Sequence, residues 1–110
     1  MFVRKVSARL KPESLDSFIT LMENEILPWL RKQPGFLDWL ILAAPDDSEV
    51  ATVSFWDHED NAQAYNTHGY PEALKRLEDL LDSHPYVKTF NVLSSTLGKN
   101  SAKANARTTK

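Results

Sequence analysis

Phe36-Leu37-Asp38-Trp39-Leu40-Ile41-Leu42-Ala43-Ala44-Pro45-Asp46-Asp47-Ser48-Glu49-Val50-Ala51-Thr52-Val53-Ser54-Phe55-Trp56 is the stretch that decides the fold. Residues 36–44 form a long apolar run whose only charge is Asp38. One parity holds Phe36, Leu40, Leu42 and Ala44, and the other holds Leu37, Trp39, Ile41 and Ala43. A strand that is apolar on both parities is a strand covered on both faces. Pro45 to Ser48 has turn chemistry. From Glu49 to Trp56, Val50, Thr52, Ser54 and Trp56 alternate with Ala51, Val53 and Phe55. Two strands joined by so short a polar link predict an antiparallel hairpin.

Toward the N-terminus, Leu15, Phe18, Ile19, Met22, Ile26 and Trp29 recur three or four residues apart, which predicts one apolar helical stripe. Pro12 suits the first helical position, with Glu13 and Asp16 favourable in the first turn. Pro28 predicts a kink or a fresh final turn, and Gln33-Pro34-Gly35 a stop. Residues 2–10 read as a strand. Phe2, Val6, Ala8 and Leu10 share one parity, with Arg4 the charged exception, and Lys5, Ser7 and Arg9 share the other.

Toward the C-terminus, Asp57 reads as an N-cap for a helix over 58–66, interrupted at Gly69-Tyr70-Pro71. A second helical segment follows from Pro71 to Asp82, and Ser83-His84-Pro85 ends it. Tyr86 to Leu97 reads as the last strand. Residues 1–97 are then one domain. Residues 98–110, with Lys99, Lys103, Arg107 and Lys110, no acid and no apolar periodicity, read as a disordered basic tail.

The element order is β-α-β-β-α-β, an α+β ferredoxin-like arrangement with two helices on one face of a four-stranded antiparallel sheet. The second apolar face of strand 36–44 then needs a cover. A second copy of the sheet supplies it, which predicts a homodimer with a barrel between the subunits, a dimeric α+β barrel.

Of the 110 residues, the first 97 carry nine Lys/Arg against fifteen Asp/Glu. An acidic body argues against a nucleic-acid partner. With no cysteine, thiolate chemistry and Cys-ligated metals are excluded. No apolar run reaches the length of a membrane span, so the reading is a cytoplasmic protein with no membrane partner. Three glycines leave no phosphate-binding loop, and His58 and His68 lack metal-ligand spacing, so no cofactor and no metal are expected.

Phe55 to Pro71 gathers the candidate chemistry. His68 carries an imidazole, a side chain suited to proton transfer or polarisation of a substrate oxygen. Tyr65 and Tyr70 suit substrate orientation, and Trp56 suits a cavity wall. Each has a plainer alternative: core or interface packing for Trp56, a helix-end surface site for His68, and locally satisfied buried rings for the tyrosines.

The segment Leu27 to Phe36, then Ser54-Phe55-Trp56-Asp57, then a helix with His68 resemble antibiotic-biosynthesis-monooxygenase-type domains of the dimeric α+β barrel superfamily. The resemblance spans about residues 2–93. It implies a homodimer with one pocket per subunit between sheet and helices. It also implies a cofactor-independent monooxygenase acting on a small aromatic or quinone-like molecule; for that activity the residues themselves offer His68 and Tyr65 as catalytic and Trp56 and Tyr70 as substrate-binding. Other members degrade haem with Asn, Trp and His. The matching positions here are Ala8, Tyr65 and Lys75 or Arg76, so that chemistry is not expected. The alternative is a non-catalytic homodimer, associated with stress or a pathway, whose cavity Trp39, Leu40, Phe55 and Phe90 fill.

Overall fold

The computed structural model describes residues 1–96. The predicted tail 98–110 and the predicted strand end at Leu97 lie outside the described residues. Strands β1 (Phe2–Arg9), β2 (Phe36–Ala43), β3 (Glu49–Trp56) and β4 (Tyr86–Asn91) form one antiparallel sheet in the order β2-β3-β1-β4. The helical layer holds α1 (Leu15–Leu21), a π-helical turn (Met22–Ile26) and α2 (Leu27–Arg31), then α3 (Glu59–His68), α4 (Tyr70–Leu77) and a 3₁₀ turn (Glu78–Leu80). This is the ferredoxin-like order predicted from the hairpin outward.

Of the predicted apolar stripe, Phe18, Met22 and Ile26 are buried and Leu15 and Ile19 pack partly buried against them, but beyond Pro28 the stripe shifts by one residue: Leu30 is buried and Trp29 is exposed. Each such burial contributes roughly 1.5–3 kcal/mol. Helix α1 starts three residues later than Pro12 suggested. Glu13 takes a left-handed φ of 61°, and residues 11–14 close a turn in which Ser14 N–H donates to the Lys11 carbonyl. Pro28 acts through the turn before it. It has no N–H, and its ring would clash with the carbonyl four residues back. The chain widens there, and the Leu27 N–H donates to the Met22 carbonyl, five residues back.

Register settles the faces of the sheet. Phe2 pairs with Trp56, Arg4 with Ser54, Val6 with Thr52 and Ala8 with Val50. Phe2, Arg4, Val50, Ser54 and Trp56 from this set are buried. A bulge between Phe36 and Asp38 sets Trp39 opposite Ser54 and Leu40 opposite Val53. Trp39 and Ile41 therefore pack under the helices, while Leu40 and Leu42 lie with Val53 and Ala51 on the open face. Strand β4 ends at Asn91, short of the predicted limit, and the described residues after it have no regular structure.

Asp57 is not the N-cap of α3. That position falls to His58, whose backbone is extended. The Asp57 carboxylate instead accepts from Asn61 Nδ2 at 2.9 Å, and the Asp57 N–H donates to the Gly35 carbonyl. Gly35 has φ +83°, and a side chain on it would run into Asp57 and Asn61. Gly35→Ala is therefore expected to cost about 1–3 kcal/mol, read as a lower urea midpoint at unchanged slope.

Candidate functional site

Arg4 stands at the centre of the helix-covered face. Strand alternation aims its side chain under α3 and α4, where it is 3% exposed. Its Nε and Nη2 both donate to Asn66 Oδ1, at 3.3 and 2.9 Å. The guanidinium carbon lies 4.1 Å from the ring centre of Tyr70 and 5.2 Å from that of Tyr65. Among the described residues no carboxylate pairs with it, and the ion pairs there are Arg76–Glu25 and Arg76–Glu72. Burial pulls the guanidinium below its ordinary pKa, and the two tyrosines act against that pull. An arginine nevertheless stays charged at neutral pH. Stacking on two rings returns part of the desolvation cost, of order 0.5–2 kcal/mol per ring.

The tyrosines are held by their neighbours. The ring of Tyr65 stacks on Trp56 at 5.4 Å, and Phe36 meets the far side of Trp56 edge-on at 5.7 Å. Trp56 is fully buried, and its Nε1–H donates to Ser54 Oγ at 2.9 Å. Ser54 Oγ in turn donates to the Arg4 carbonyl. Gly69 leaves room for Tyr65: a Cβ there would lie 2.6 Å from the ring. Gly69→Ala is therefore expected to tip the ring. The near-ultraviolet circular dichroism of the Trp56–Tyr65 stack should weaken while the far-ultraviolet spectrum is kept.

Burial pushes the Tyr65 hydroxyl up to about 12, with Arg4 drawing it back and Tyr70 adding to the rise. Burial also raises Tyr70, with Arg4 opposing. Both are neutral donors at physiological pH. The unfolded tyrosine ionises near 10 and the folded Tyr65 near 12. The stability this difference carries is intact below pH 10 and is lost as the pH rises through 12. Urea titrations should show a loss of up to about 2–3 kcal/mol across that window, and Tyr65→Phe should flatten it.

Arg4, Tyr65 and Tyr70 face a cavity of about 60 Å³ between sheet and helices. Its other walls are mainly apolar and include Val6, Phe18, Met22, Trp39 and Leu77. The result is one fixed positive charge and two tyrosines in a mainly apolar pocket. Such a place favours an anionic oxygen on an aromatic body.

Of the residues predicted from sequence, Tyr65 and Tyr70 come together at this cavity. Trp56 lies one layer behind, supporting Tyr65 without lining the cavity. His68 is exposed at the end of α3 and is not a lining residue. Leu40, Phe55 and Phe90, expected to fill the cavity in the non-catalytic reading, lie on the opposite sheet face. Arg4 and Asn66 are absent from the predicted set. The signal for Arg4 was its parity with Phe2, Val6, Ala8 and Leu10. Among the described residues no His/Cys/Asp/Glu group can hold a metal ion, and no helix is long and apolar enough to cross a membrane.

No family model and no curated protein matches the sequence. Solved structures do match the fold. The monooxygenase from the gene ActVA-Orf6 of Streptomyces coelicolor, in complex with nanaomycin D, is 22% identical. The match covers 87% of this chain and 90% of that one, with a TM-score of 0.75. SnoaB, a cofactor-independent oxygenase from Streptomyces nogalater, is 14% identical over 87% and 96% of the two chains, with a TM-score of 0.72. A further antibiotic biosynthesis monooxygenase is 14% identical over 86% and 100%, with a TM-score of 0.68. The chain has the fold of antibiotic biosynthesis monooxygenases, and at these identities the likeness is one of fold.

Proposed function

We propose that this protein is a cofactor-independent monooxygenase that binds a compact polycyclic phenol as its phenolate between sheet and helices. The observation that carries this reading is Arg4: a buried cation with no carboxylate partner among the described residues, set beside two neutral tyrosines in an apolar cavity. A cation so placed lowers the pKa of a bound phenol, so the substrate ionises without a strong protein base. The hydroxyls of Tyr65 and Tyr70 orient the oxygen. The phenolate passes an electron to dioxygen, the two radicals join at the free para carbon, and the peroxide loses water. For 1-naphthol the sum is naphthol plus O₂ to 1,4-naphthoquinone plus water. The solved neighbours support this class: one is a monooxygenase in complex with nanaomycin D and another a cofactor-independent oxygenase.

His68 has no part in this scheme, because it is exposed and outside the cavity lining. A second reading, a non-catalytic homodimer, is favoured by one observation. The cavity of about 60 Å³ is well below the roughly 300–1,000 Å³ of a ligand site. One experiment separates them: 1-naphthol mixed with the protein in aerated buffer at pH 7. Oxygenation gives the red-shifted naphtholate absorbance and then 1,4-naphthoquinone at catalytic yield. No red shift and no quinone favour the second reading.

In both readings a second copy covers the open sheet face. Leu40, Leu42, Tyr86 and Phe90 stand exposed there, and Tyr86 is 65% exposed. Monomeric proteins seldom leave such a face bare. Sedimentation at micromolar concentration should give twice 12.5 kDa per particle, and the paired change Leu40→Glu with Leu42→Glu should give monomer.

A further inference from the structure

At about 60 Å³ the cavity is too small for a bicyclic ring, so binding one needs the elements around it to part. A second hollow of about 270 Å³ lies on the outer side, between the π-helical turn, α2 and α4. Two side chains, Ile26 and Ala73, line both spaces. They are buried, at 3% and 2% exposure, so together they form the partition between the hollow and the cavity. On the α4 side that partition is a single methyl group.

The seam above this partition is held weakly. Arg76 Nη1 donates to Glu25 Oε1 at 2.7 Å, joining α4 to the π-helical turn. Among the described residues it is the one hydrogen bond or ion pair between the 15–31 helical segments and the 59–80 segments. Both partners are about half exposed, so water and salt compete for them. The Glu25 side of the pair, like Ile26, sits on the π-helical turn, an irregularity of the kind often found at functional sites.

We infer that the outer hollow is the entrance to the cavity, that Ile26 and Ala73 are its door, and that the Glu25–Arg76 pair is the latch. This rests on the cavity being a binding site. It adds that admission is decided by the size of residue 73 and by one surface ion pair. A flat, uncharged ring system is what such a slot passes, and the ring ionises only on reaching Arg4.

The chain has no cysteine, so a single reporter thiol is unambiguous. Thr52→Cys places one on the cavity wall, and methyl methanethiosulfonate reports access to it without any substrate. Relative to Thr52→Cys alone, Arg76→Ala should raise the labelling rate about two- to fivefold, in line with the strength of an exposed ion pair. Arg76→Glu, which opposes Glu25 and Glu72, should raise it further. Adding Glu25→Arg to Arg76→Glu should return most of the difference. Ala73→Leu should slow labelling at least fivefold. A Ser48→Cys control on the exposed hairpin should be indifferent to all of these changes. Labelling rates unmoved by the latch variants, or by Ala73→Leu, overturn the entrance. So does a rate that rises without recovery in the charge swap. A chain that labels as expected but neither red-shifts nor oxidises 1-naphthol keeps the entrance and rejects the oxygenase.

Discussion

Trp56→Ala is expected to remove about 3–5 kcal/mol of stability, which for a domain of this size is a large part of the total. Among the described residues Trp56 is the one large side chain with no exposure at all, and three contacts converge on it. Phe36 meets it edge-on, Tyr65 stacks on it, and Ser54 Oγ accepts its Nε1–H. Truncation would leave a void against rings too stiff to collapse into it. Trp56→Phe separates the parts: it keeps most of the packing and loses the hydrogen bond, and should cost about 1–2 kcal/mol. Chemical denaturation followed by far-ultraviolet circular dichroism reads both. A Trp56→Ala loss below 1 kcal/mol would show that the Phe36–Trp56–Tyr65 column does not brace the site. The result also bears on function, because Tyr65 faces the cavity only while Trp56 holds its other side.

That column shows what the sequence could and could not announce. The alternation from Val50 to Trp56 grouped Trp56 with Val50, Thr52 and Ser54 but left open whether that face met the helices or a second subunit, and only the packing on Tyr65 decides for the helices. The alternation could not show depth either. Trp56 stands behind the tyrosine, as a support, and only the packing of α3 against the sheet separates that from a cavity wall. His68 was legible in principle. The buried residues of α3 and its end, Ala62, Tyr65 and Gly69, lie on one stripe. At about 100° per residue, His68 points well away from the middle of it. Chemistry drew attention to the histidine, and helical phase argued against it.

The hairpin announced more of the fold than any other segment, and its failures were local. The bulge at Leu37 has no composition signal, yet it decides which of Trp39 and Leu40 goes under the helices. Asp57 carries a capping side chain, but Asn61 one turn later competes for its carboxylate. Pro28 promised a disturbance, and the form it took, a widened turn one step earlier, depends on Met22 and Ile26 both staying buried. In each case a tertiary contact chose between outcomes that local propensity left equal.

Arg4→Met is expected to weaken binding of 1-naphtholate about 30- to 1,000-fold, the 2–4 kcal/mol typical of removing one partner of a buried charge contact. Quinone formation should fall with it, and the red shift of bound naphthol at pH 7 should vanish. The same change should leave the fold as stable as before, or more so. Among the described residues the buried guanidinium meets no opposing charge, and replacing a buried ion with an apolar side chain of similar length is often neutral or stabilising. The losses on the other side are the stacking on Tyr65 and Tyr70 and the acceptor left idle at Asn66 Oδ1. The added change Asn66→Leu removes that idle acceptor and should restore any shortfall. An arginine kept for structure alone predicts the opposite pair of results: lower stability and unchanged naphthol binding. Arg4→Lys sharpens the test. The ammonium keeps the charge but loses the planar face that stacks on two rings, so it should retain part of the red shift with weaker affinity. Titrating the bound naphthol by absorbance, in the parent and all three variants, measures how far one charge in this cavity moves the phenol toward its reactive form.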